Sequence, residues 1–236
     1  MFGNSMHLSR DHQNVFVLAL CQALFMTGQS MMFILAGLVG ADLSENKALA
    51  TLPITVIIVT TALTTIPASL LMKRFGRKIG FMLGATFAII GGCIASYGIY
   101  HSSFWIFVIG TMTIGIHGGF AQYYRFAAAD VAKADFKSKA ISLVISGGII
   151  AAFLGPALVN YTFDIHVVPF FGSFVSIVIL ASLAILILGL INIPRPSFTE
   201  RSSSGRPLRK IIRQPELIGA VFVGMIGYGM MSLLMT

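Results

Sequence analysis

Along this chain the apolar positions gather into long runs separated by short polar stretches, and they do not alternate. Six such runs occupy positions 15–40, 49–72, 79–100, 104–129, 140–161 and 168–193, and a seventh begins near Leu217 and continues to Thr236. A bilayer's hydrocarbon core is crossed by about 20 predominantly apolar residues in a helix, so each of the six is long enough. A backbone in lipid satisfies its polar groups within the segment, which predicts helices; a barrel would show shorter, alternating segments. The predicted fold class is an all-α integral membrane protein: a six-transmembrane-helix bundle over 15–193, preceded by a segment 1–14 and followed by a linker 194–216 and the start of a seventh helix over 217–236.

Composition and charge sharpen this picture. Of 236 residues, 56% are hydrophobic and only 10% charged, against roughly 25% charged in soluble domains. The net charge of +8 would also suit a nucleic-acid binder, but its placement excludes one, because the basic residues sit in clusters between apolar runs. Fourteen of the sixteen fall in one set of connections: Arg10; Lys73, Arg74, Arg77 and Lys78; Lys133, Lys137 and Lys139; and the six between Arg195 and Arg213. The opposite set holds only Lys47, and Arg125 lies inside the fourth run. The positive-inside rule then places the N-terminus and the 194–216 linker in the cytoplasm. Cys21 and Cys93 both lie in apolar runs and imply neither a disulfide framework nor a metal site. The first run is too long for a signal peptide and no cleavage pattern follows it.

The linker is rich in Pro, Ser and Gly (Pro194, Pro196, Ser202, Ser203, Ser204, Gly205, Pro207), which break helices and favour flexibility. Within it Leu208, Ile211 and Ile212 are interleaved with Arg209, Lys210 and Arg213. That stretch reads either as a basic amphipathic helix on an anionic leaflet or as a solvated tether.

The connection between the second and third runs reads Ser69-Leu70-Leu71-Met72-Lys73-Arg74-Phe75-Gly76-Arg77-Lys78. Gly76 permits a tight turn between helices, and the cationic cluster holds the loop at the inner surface. With six helices, a basic linker and a seventh helix, the chain resembles the N-terminal half of a major facilitator superfamily transporter, built from two six-helix halves with internal 3+3 repeats. The loop resembles that superfamily's G-x-x-x-D-R-x-G-R-R/K signature: Arg74, Gly76, Arg77 and Lys78 match, while Ser69 and Lys73 replace the first glycine and the acid. The resemblance implies a conformational latch at these residues, with Asp130, late in the fourth run, pairing with Arg77.

Two partial matches point toward drug/proton antiporters. Thr111-x-x-x-Gly115-x-x-x-Gly119 stands where those proteins carry R-x-x-x-G-x-x-x-A/G, with Thr111 in place of the arginine, and its small residues would let a neighbouring backbone approach. Gly155-Pro156 matches the core of a second antiporter motif, Val159 and Asn160 replacing its trailing glycine pair. Read alone, it is a helix kink.

Polar residues inside a span usually face a cavity or a partner. The superfamily resemblance puts the first and fourth helices along the central cavity, making Gln22, Gln29, Gln122 and Arg125 the candidate substrate-binding set, with His117 beside them. Gln22 and Gln29 are seven residues apart on one face, with Asn14 eight residues before Gln22; they line a site or bond across a helix interface. Arg125 suits an anionic or carboxylate-bearing substrate, or it snorkels to the interface. His117 is a packed neutral ring or a proton-responsive group. Thr60, Thr61, Thr64 and Thr65 read as hydroxyls bonding back within their own helix.

No Asp or Glu lies near the middle of a span: Asp42 and Asp164 sit at the outer boundary and Asp130 at the inner one. No phosphate-cradling Gly-x-x-x-x-Gly-Lys-Ser/Thr, metal-ligand cluster or nucleophile–base pairing occurs, so neither an enzyme nor a resident metal or cofactor is expected. The energy source would be an ion gradient, with the proton as one candidate. The reading is a multi-pass protein of a bacterial-type inner membrane, N-terminus inside, that exports drugs or metabolites by alternating access. The alternatives are an importer of an anionic metabolite, such as a carboxylate siderophore, and a non-transporting scaffold or sensor. Its partners would be a small-molecule substrate, the lipid bilayer and six further helices, supplied by a C-terminal half missing from a truncated chain or by a second chain.

Overall fold

The computed structural model describes residues 3–193 and 214–235, with side chains from Asp11 onward apart from Tyr228 and residues 231–235. The described elements are helical throughout: α1 (Gly3–Leu43), α2 (Leu52–Phe75), α3 (Arg77–Tyr100), α4 (Phe104–Ala121), α5 (Tyr124–Val131), α6 (Lys137–Thr162), α7 (Phe171–Gly189) and α8 (Pro215–Met235), with short 3-10 turns at Lys47–Leu49 and Ala134–Phe136. Among the described residues six stretches are long and apolar enough to cross a membrane, Asp11–Leu43, Lys47–Phe75, Arg77–Tyr100, Phe104–Val131, Ala134–Thr162 and Phe171–Gly189. The protein is an all-α, multi-pass membrane protein.

Three boundaries depart from the hydropathy pattern. The first helix does not wait for the apolar run but begins at Gly3, within the segment read as an N-terminal extension. The fourth run is two helices, interrupted at Gln122 and Tyr123. The sixth helix starts at Phe171, after Phe170 takes a left-handed backbone (φ 66°), and ends at Gly189. Hydropathy registers apolar length and is blind to such turns. The amphipathic stretch expected around Leu208–Arg213 lies outside the described residues.

Within the six-span bundle, α3 packs most closely on α4 and α7, α4 on α2, and α1 on α6 and α7. Glycines set the closest approaches. A Cβ at Gly91 of α3 would fall 2.7 Å from the Ile114 nitrogen and 2.8 Å from the Gly110 oxygen, and one at Gly110 would fall 2.5 Å from the Ala95 nitrogen. Such backbone-to-backbone contact is how helices associate where lipid offers no hydrophobic drive between them. Two apolar clusters fill the interior. One, at the end carrying Arg77, includes Leu18, Phe25, Phe81, Tyr124 and Leu188; the other includes Met31, Leu35, Ile57, Phe107 and Phe174. Large side chains on the outer faces of α2 and α6, such as Leu63, Ile66, Ile149 and Phe153, are exposed, which suits a lipid solvent.

The last helix, α8, is a 21-residue apolar helix with Glu216 in its first turn, where the helix dipole favours a negative charge.

Candidate functional site

At the end of the bundle that carries the basic loop, α2 stops at Gly76, whose φ of 97° is accessible to glycine without strain. The turn sends Arg77 and Lys78 into the first turn of α3. Arg77 Nη2 donates to Asp130 Oδ2 on α5, joining residues 53 apart in sequence. Lys78 turns to the end of α7. Its Nζ donates to the Gly189 and Ile191 carbonyl oxygens at 2.7 and 3.0 Å, satisfying acceptors that the end of α7 leaves unpaired. Asn14, grouped by its spacing with Gln22, turns the same way: its Nδ2 donates to the Asn192 oxygen and its Oδ1 accepts from the Asn192 nitrogen, both at 3.0 Å. Arg74 is exposed and lies over the Phe75 ring.

The Thr111–Gly115–Gly119 stripe faces α2. Added Cβ atoms at Gly115 and Gly119 would meet the Ile57 oxygen and Thr64 Cβ at 2.9 and 2.7 Å. Thr111 is fully buried and donates to the Val108 oxygen within α4. Thr65 bonds back to Thr61 as expected, but Thr61 reaches across to the Gly115 oxygen at 2.9 Å, because α4 comes close enough there to offer a carbonyl. Gly155 performs the same service for α1: a Cβ on it would lie 2.6 Å from Ser30 Cβ and Oγ. Pro156 is carried inside an unbroken α6.

The candidate substrate-binding residues separate into two groups. Gln29 and His117 line one small cavity of about 20 Å³ at the junction of the two apolar clusters, together with Phe25, Ile114, Ile177 and Ala184. His117 is buried, its ring set edge-on to Phe25 with centroids 5.1 Å apart. Gln22 lies two turns from Gln29 on α1 and is buried, with no hydrogen bond to the described residues. Gln122 and Arg125 do not join them. The interruption after Ala121 leaves both exposed, with the Arg125 guanidinium 5.0 Å from the Phe126 ring centroid and Tyr123, between them, donating to the Thr65 oxygen at 3.0 Å.

Missed by sequence reasoning were the Lys78 cap and the Asn14–Asn192 pair. Each joins residues more than a hundred positions apart through a backbone carbonyl, a group that every residue carries, so no side-chain pattern announces it.

A bundle of this order, with a glycine turn and an arginine–aspartate pair between its second, third and fourth spans, matches a sequence model of the Major Facilitator Superfamily over residues 18–236. The chain belongs to the major facilitator superfamily. It is also 40% identical over 227 residues to a riboflavin transporter, RfnT, of Brucella anthropi, a match that covers 95% of this chain and 57% of that protein. The chain thus spans little more than half the length of this superfamily relative.

Proposed function

We propose that the chain supplies the first six-helix bundle of a secondary transporter that moves a neutral, hydrogen-bonding heteroaromatic solute of the riboflavin class by alternating access. The observation that carries this reading is the 40% identity to a riboflavin transporter across 95% of the chain. The chemistry of α1 agrees with it: Gln22 and Gln29 offer paired amide donors and acceptors, with no carboxylate nearby to demand a cationic substrate. In this reading Gln22 and Gln29 bind substrate, and Arg74, Gly76, Arg77, Lys78 and Asp130 brace the inner end of the bundle as it rocks. The protein sits in a bacterial-type inner membrane with its N-terminus in the cytoplasm, and an ion gradient, with the proton as a candidate, drives it.

Gly115, Gly119 and Gly155 are engaged in helix packing, so they favour neither export nor import. Arg125, exposed and apart from Gln29, lends no specific support to an anion importer. The test is counterflow of labelled riboflavin by the full-length protein in proteoliposomes, with direction read by comparing right-side-out and inside-out vesicles. Exchange that unlabelled riboflavin competes away is expected, and Gln29→Ala should slow it. Absence of exchange with riboflavin, set against a positive result for an anionic solute that depends on Arg125, would overturn the reading.

A further inference from the structure

The cavity bordered by Gln29 lies at mid-depth of the bundle. Gly28 and Gln29 stand near the middle of the span Asp11–Leu43, Ala88 near that of Arg77–Tyr100, Ile114 near that of Phe104–Val131 and Leu180 near that of Phe171–Gly189. Transporters hold their solutes near the bilayer midplane. Apart from Gln29 and His117 the lining is apolar, and the His117 Nε2 is buried, so the cavity offers a solute carbon surface. It is open on one side, bordered by the half-buried Leu24, Gly28, Gln29 and Leu180. Of these four side chains, only that of Gln29 forms hydrogen bonds.

The volume is about 20 Å³. An apolar cavity of about 150 Å³ stays dry and takes up benzene, roughly 25 Å³ for each carbon, so this space suits one carbon. Until something fills it, the lining forfeits dispersion contacts. At Gly28 the gap exists because a side chain is missing: an added Cβ would meet no atom within 4 Å. Alanine would be the better helix former there, and it would close the space.

We infer that this cavity is a specificity pocket for one methyl-sized apolar substituent on the ring system of the solute, Gly28 leaving the space and Gln29 holding the ring's polar edge at the rim. The inference rests on the function proposed above and narrows its substrate class to a heteroaromatic ring that carries a small alkyl group beside a hydrogen-bonding nitrogen. Riboflavin has that chemistry, since its ring nitrogens adjoin a carbocycle bearing two methyl groups. A hydroxyl or charged group in the same place is disfavoured, because the pocket would strip its water and return no partner.

The experiment is competition in counterflow by the full-length protein in proteoliposomes. Unlabelled riboflavin and an analogue with hydrogens in place of its ring methyls each compete against labelled riboflavin. The analogue should compete about fourfold more weakly, the equivalent of the roughly 0.8 kcal/mol of one buried methylene. Gly28→Ala puts the protein's own methyl into the cavity, so in that variant the two competitors should become equal. Equal competition in the unsubstituted protein, or a preference that survives Gly28→Ala, would overturn the pocket while riboflavin exchange still stood. If Gly28→Ala does not fold, Leu180→Ala decides from the opposite direction. By enlarging the cavity it should let an analogue bearing ethyl in place of methyl compete severalfold better than it does in the unsubstituted protein, and no gain would overturn the pocket. Absence of exchange with riboflavin itself would sink the proposed substrate and the pocket with it.

Discussion

Arg77 and Asp130 meet as a guanidinium–carboxylate pair across the end of the bundle that carries the basic loop, 26% and 54% exposed in their side chains. Exposed pairs of this kind contribute about 0–1 kcal/mol, less in salt. A double-mutant cycle with Arg77→Ala and Asp130→Ala should therefore give a coupling below about 1 kcal/mol in thermal melts. Any transport defect larger than that stability change would assign the pair a role in motion.

Lys78 is expected to matter more to folding. It holds two carbonyls beyond the end of α7, and Lys78→Met strips both of their donor. The loss should be about 1–3 kcal/mol, visible as a lowered Tm in detergent, with Lys78→Arg recovering part of it. Asn14→Leu, which removes both bonds to Asn192, should fall in the same range. A Tm unchanged by either substitution would mean that the end of α7 needs no fastening.

The α3–α4 crossing has no slack. In Gly91→Ala the new methyl would press on backbone atoms of Ile114 and Gly110, which cannot rotate away, and overpacking of this kind costs about 1–3 kcal/mol. Gly148→Ala, where a Cβ meets nothing within 4 Å, is the control. Size-exclusion profiles should show loss of monodisperse protein for Gly91→Ala only.

Because Arg125 and Gln122 are exposed and apart from the Gln29 cavity, Arg125→Ala should reduce riboflavin counterflow less than Gln29→Ala does. The reverse order would return the anion-import reading to first place.

Orientation can be read chemically. In whole cells a membrane-impermeant maleimide should label Lys47→Cys but reach Lys137→Cys only after lysis, with Cys93 replaced by Ser in both. Labelling of the two from the same side would contradict the charge-based topology.

How much of this was legible in the sequence follows from the range of the forces involved. Long apolar runs announce spanning helices because lipid imposes the same demand on every residue of a span, and the imbalance of Lys47 against fourteen basic residues speaks for orientation on equally local grounds. Gly76 and the basic loop were readable for the same reason, since one glycine at a turn is a local requirement. Tertiary structure decided what depends on how close two helices come: that Gly115 and Gly119 seat α2, that Gly155 seats Ser30, and that Thr61 finds a carbonyl on α4 instead of its own helix. It also separated Arg125 from Gln29, through a two-residue interruption at Gln122 and Tyr123 that hydropathy does not register. Periodicity assigns a residue to a face of an ideal helix, but only packing determines what that face meets.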